Sequence, residues 1–188
     1  GAASMDFEKI FKRNKNKFIL INIENEDAKK ASIFADNVIL KKKVEYHHKM
    51  DPNSEFKRFF TGCLGELAIE KLLGIHFIDW KIGNSIKFNI ADLSCLNLNI
   101  GIKTVEYGKF PIIHKKVLRP EIITVKLTDT KVYVCGFASK QVLKKYQNDS
   151  LILSPTLKRK GTKTAFFGFD ELIPFHDLGE LRKISINF

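Results

Sequence analysis

The spacing of apolar residues changes once along this chain, and that change limits the folds open to it. From Phe56 through Phe59, Phe60, Leu64, Leu67, Ala68 and Leu72 they recur three and four apart, which predicts an amphipathic helix. Asp51-Pro52-Asn53-Ser54 breaks the chain ahead of it, Asn53 or Ser54 is the expected cap, and Gly74 the expected stop. The loop and strand of 75–90 hold His76-Phe77-Ile78-Asp79-Trp80 and the turn residues Gly83-Asn84-Ser85. Ala91-Asp92-Leu93 then opens a strand region in which Leu96, Leu98 and Ile100 alternate with Asn97, Asn99 and Gly101. Further strands are expected over 122–127 and 131–137, a Ser139-capped helix over 140–146, a late strand over 165–169 and a short tail with Leu178 and Leu181. The order predicts an α/β or α+β fold with a central mixed β-sheet flanked by helices.

The opening Gly1-Ala2-Ala3-Ser4 reads as a cloning scar, residues 5–52 as an N-terminal helical extension and residues 53–188 as the main domain. In the extension Phe7, Ile10 and Phe11 mark one short helix, and Ala28, Ala31, Ile33, Phe34, Ala35, Val38 and Ile39 a second that starts at Asn25-Glu26-Asp27. The run from Phe18 to Ile23 fits helix or strand equally. Lys41-Lys42-Lys43 suits a helix C-terminus and a phosphate backbone alike.

A net charge of +11 favours an acidic partner, with nucleic acid the commonest. The charge is clustered: His114, Lys115, Lys116 and Arg119 share a loop over 107–120, and Lys158, Arg159, Lys160 and Lys163 share another. Such loops could straddle a backbone or simply be solvated. No apolar run approaches the roughly 18 residues of a membrane span. Cys63, Cys95 and Cys135 lie far apart and offer no CxxC pair, so half-buried thiols in a reducing cytoplasm are expected. The five histidines show no zinc spacing with them, and no phosphate-cradling glycine motif is present.

The remaining polar residues suggest a chemistry. Phosphodiester hydrolysis needs an activated water and charge relief on the phosphate, which Mg²⁺ supplies when one or two carboxylates hold it. A lysine alongside can offset developing charge. Asp92 and Lys103 are the right types at a workable spacing, and Glu66 sits at the edge of the helical stripe, four residues before Glu70.

At these residues the chain resembles the PD-(D/E)xK nuclease superfamily, the restriction-endonuclease-like fold. The resemblance spans roughly residues 56–146 and rests on Gly65-Glu66-Leu67-Ala68, Ala91-Asp92 and Gly101-Ile102-Lys103. It implies that Asp92, Lys103 and Glu66 form the catalytic set. It further implies that Asp92, Glu66 and the Ile102 carbonyl hold Mg²⁺, for which Mn²⁺ can substitute. The activity implied is endonucleolytic cleavage of DNA, in the manner of a restriction enzyme. DNA contacts are expected from Lys115, Lys116, Arg119, Lys158, Arg159, Lys160 and Lys163, and a homodimer is expected if both strands are cut. Two rivals are a non-catalytic nucleic-acid-binding module on the same fold and an RNA-directed nuclease. The chain departs from the family where the acid of the acid-x-lysine triplet should stand, at Gly101. Glu106 points to the opposite strand face from Lys103, so Glu66, with Glu70, is the expected replacement.

Overall fold

The computed structural model describes residues 2–46, 52–81 and 91–188. The predicted turn at Gly83-Asn84-Ser85, and His47 and His48, lie outside them.

Helix α1 (Ala2–Asn14) buries Phe7 and Phe11, the i, i+4 pair expected to point inward. Each such ring contributes about 1.5–3 kcal/mol by leaving water. The ambiguous run resolves into strand β1 (Ile19–Asn22). Helix α2 (Asn25–Tyr46) buries Ala28, Ala31, Ala35 and Ile39, and its small alanines let it lie against α3 (Pro52–Leu73). Because α3 already begins at Pro52, Asn53 and Ser54 sit in its first turn and do not cap it. Proline fits there, since its missing N–H would have had no intrahelical partner. Gly74, with φ +68°, ends the helix as expected.

Strand β2 (Gly101–Glu106) is shorter than the alternation predicted. Residues 94–96 form a single 3-10 turn instead, and Leu93 is tied to Ile100 by its backbone N–H (3.1 Å). Strands β4 (Glu121–Thr128) and β5 (Lys131–Ala138) follow, with β3 (Ile112–His114) inside the stretch expected to be loop. Ser139 caps α4 (Lys140–Lys145), its hydroxyl accepting from the Val142 N–H (3.2 Å). Next come β6 (Gln147–Asn148), α5 (Pro155–Lys160) and β7 (Lys163–Phe166). The expected basic loop over 158–163 is therefore mostly helix α5, capped by Ser154 and ended by Gly161. The tail is a helix, α6 (Leu178–Asn187), with Asp177 as its N-cap.

The architecture is α+β. The main sheet is mixed and has the order β1-β5-β4-β2, with β2 parallel to β4 and the other pairs antiparallel. A second, antiparallel sheet of order β3-β7-β6, which the sequence did not announce, lies beside it. Side chains of the main sheet alternate between two cores. Ile122, Val132 and Val134 pack with α2 and α3 on one face. Ile123, Val125, Tyr133 and Cys135 pack with α1 and the second sheet on the other. Residues 5–52 thus contribute an edge strand and two helices, α1 against one core and α2 against α3 on the other. Cys63 and Cys135 are buried, Cys95 is exposed, and all three are free thiols.

Candidate active site

Among the described residues β2 pairs with β4 alone, which leaves its other edge without a strand partner. The Gly101 N–H donates to Pro120 on the β4 side (3.0 Å). Neighbouring strand residues present their backbone groups to opposite sides, so the N–H and carbonyl of Ile102 face outward, away from β4. Asp92 sits at that edge. It occupies a turn rather than the expected strand start, and its Oδ2 accepts a hydrogen bond from the Ile102 N–H (2.6 Å). The bond is carried by the backbone, so it fixes Asp92 against β2 whatever side chain stands at 102.

Glu66 reaches the same place from α3. Its carboxyl is within hydrogen-bonding reach of Asp92 and is raised well above the usual carboxylate range, by burial first and then by the Asp92 charge. Glu70, the expected helper, does something else. It is buried, and one oxygen accepts from the backbone N–H groups of Phe77 (2.7 Å) and Ile78 (2.9 Å). Glu70 therefore fastens the chain leaving α3, so the proposed replacement of the missing acid by Glu70 does not hold.

Lys103 lies on the other face of β2, the face that carries Gly101 and Val105. It is partly buried and lines a groove with His114, Val117, Arg119, Glu121 and Leu143. Strand β2 runs beside β4 without a bulge, so Glu106 keeps to the opposite face as expected.

Glu121 is the residue that sequence reasoning passed over. It begins β4 in register with Gly101 on the parallel neighbour β2. A Cβ at 101 would run into its carboxylate and stand 2.8 Å from the carboxyl carbon. The Glu121 carboxyl is raised to about 7, by burial first and with help from the Asp92 charge, against the opposing pull of Lys103 and Arg119. The signal was an acid directly after Pro120 at the head of a strand. Only the register of a parallel pair ties that position to 101.

The basic residues divide. Lys163 on β7 stands opposite His114 on β3 across an antiparallel pair, and His114 lines the groove with Lys103 and Arg119. Burial, then the charges of Lys103, Arg58 and Lys160, lower the Lys163 ammonium below its ordinary range. His114 is lowered by burial and by Lys163 and Lys103. Lys115 is instead paired with Asp149 (2.7 Å). Lys116 is exposed, and Lys158, Arg159 and Lys160 are exposed along α5.

Among the described residues, no three His, Cys, Asp or Glu side chains are set closely enough to enclose an ion. Mg²⁺ does not require that, because it keeps several waters and takes one or two carboxylates. The residues present fit such an ion in two respects. Glu66 and Asp92 bring two oxygen-bearing acids together at an edge where the Ile102 carbonyl also faces out. Nearby, the buried Oε2 of Glu121 has no hydrogen-bond partner.

Among the described residues, no helix is long and apolar enough to cross a membrane. No family model, no curated protein and no solved structure matches the chain.

Proposed function

We propose that the chain is a Mg²⁺-dependent endonuclease acting on DNA, built on a restriction-endonuclease-like arrangement of its main sheet and α3. One observation carries the reading: the carboxyl groups of Glu66 and Asp92 are held together at the edge of β2 that faces away from β4. Two acids crowded this way repel one another when both are ionised, so the arrangement gains nothing for the fold by itself. A divalent cation reverses the sign of that interaction.

In this reading Asp92, Glu66 and the Ile102 carbonyl hold the ion, which when bound relieves charge on the phosphate and the leaving oxygen. Asp92 is oriented by the Ile102 N–H, so its second oxygen is left for the cation. Lys103 offsets charge that develops on the phosphate and helps hold the attacking water. The groove with His114 and Arg119, together with Lys163 opposite His114, carries the flanking backbone. The chain is small beside a duplex, so two copies acting together would account for cleavage of both strands.

The test is nicking and linearisation of supercoiled plasmid with Mg²⁺ or with EDTA. Wild type should cut only with the metal, and Asp92→Asn and Lys103→Ala should each lose at least about 100-fold in rate, as when an electrostatic stabiliser is removed. Lys144→Ala, an exposed charge on α4, should cut normally. Equal cutting by all four proteins would end the proposal.

A further inference from the structure

We propose that Glu121 supplies, from the neighbouring strand, the acid that the acid-x-lysine triplet lacks at Gly101. The inference rests on the nuclease reading above and names one more residue of the same site.

Three observations carry it. First, Gly101 and Glu121 are in register on parallel strands, so their side-chain positions lie side by side on the face that bears Lys103. Second, the two positions have room for one acid between them. The Glu121 carboxylate fills the space that a side chain at 101 would need, and Gly101 is the residue that leaves it free. An acid at 101 and an acid at 121 are in that sense alternatives. Third, Glu121 is not consumed by the fold. Its Oε2 is buried without a hydrogen-bond partner, although buried carboxylate oxygens are almost always paired. A structural ion pair with Lys103 would account for a buried glutamate, but none forms among the described residues. What remains is a buried acceptor that lines the same groove as Lys103 and lies within the field of Asp92.

The experiment measures Mn²⁺ binding by titration calorimetry in the full chain, with plasmid cleavage read in parallel. Glu121→Gln keeps the shape and removes the charge, and it should weaken Mn²⁺ binding ~10–100-fold. The paired variant Gly101→Asp with Glu121→Ala moves the acid to the other strand, and it should recover most of that loss. Recovery by relocation is what a merely structural glutamate would not give. If Glu121→Gln binds Mn²⁺ like wild type while Asp92→Asn does not, the role of Glu121 is overturned and the metal site stands. A folded paired variant that binds no better than Glu121→Gln also overturns it. Should wild type bind Mn²⁺ through Glu121 yet leave plasmid uncut, the nuclease reading fails and this inference survives. Absence of Mn²⁺ binding by wild type would sink both.

Discussion

Gly65 of α3 lies directly over Thr104 of β2: a Cβ on the glycine would overlap the threonine hydroxyl and stand 2.8 Å from Thr124 Oγ1. The two threonine hydroxyls share a hydrogen bond of 2.7 Å beneath it. This close approach brings the helix down onto the sheet, and the next residue along the helix is Glu66. The height of α3 therefore decides whether Glu66 reaches Asp92.

Gly65→Ala should lift α3 from β2. Forcing a methyl group into a packed interface costs about 1–3 kcal/mol, readable as a lower melting temperature. If Glu66 acts as proposed, cleavage should fall further than the loss of folded protein explains, because small displacements of a reacting group carry large rate penalties. Normal activity at temperatures where the variant is fully folded would show that the contact positions nothing.

The crowded acids should make the metal-free protein less stable as pH rises. Glu121 is raised to about 7 from an ordinary value of 4.5, so between those limits the folded state binds more protons than the unfolded one. Its contribution is present below pH 4.5 and lost as pH climbs towards 7. Glu66, raised in the same direction, adds to the trend. In EDTA at pH 8, Glu121→Gln should melt higher than wild type, by up to about 3 kcal/mol in stability. At pH 4.5 the difference should shrink, and an unchanged difference would contradict the burial of the acid.

Divalent metal should undo that penalty. A ligand that binds only the folded state adds about 2.7 kcal/mol of stability at 100 times its Kd. Melting of wild type should rise with Mn²⁺ or Mg²⁺, and that of Asp92→Asn should not. Identical shifts in both proteins would move the ion elsewhere.

Gly101 and Glu121 should be energetically coupled without any metal. Gly101→Ala should destabilise the wild-type background and be nearly harmless beside Glu121→Ala, with a coupling of about 0.5–3 kcal/mol. A double-mutant cycle of denaturant melts measures it, and additivity would mean the carboxylate does not occupy that space.

For DNA, Lys163→Ala should weaken binding and lower the slope of log affinity against log salt by about 1, the mark of one lost phosphate contact. Lys115→Ala should do less, because that amine is already paired with Asp149. Anisotropy of a labelled duplex in EDTA separates the two, and equal effects would remove Lys163 from the DNA contacts.

Local patterning made several elements readable. The burial of Phe7 and Phe11, the Gly74 stop, the Ser139 cap and the strands β4 and β5 each depend on residues near in sequence. Period-two alternation misled at Leu96, Leu98 and Ile100. There the backbone turns through a 3-10 segment, and Asn97 adopts a left-handed conformation with φ +59°. The basic stretch at 158–160 looked like loop because charge dominates it, yet Ser154 and Pro155 supply a helix start.

The sequence by itself determined a mixture of helices and strands around a mixed sheet, the excess of positive charge, and Glu66, Asp92 and Lys103 as residues to look for. Only the tertiary structure decided that Glu70 holds backbone N–H groups and that Glu121 stands where position 101 is bare. The reason is that helix and strand periods act over a few residues, whereas the strand register aligning 101 with 121 is set by how the whole sheet packs.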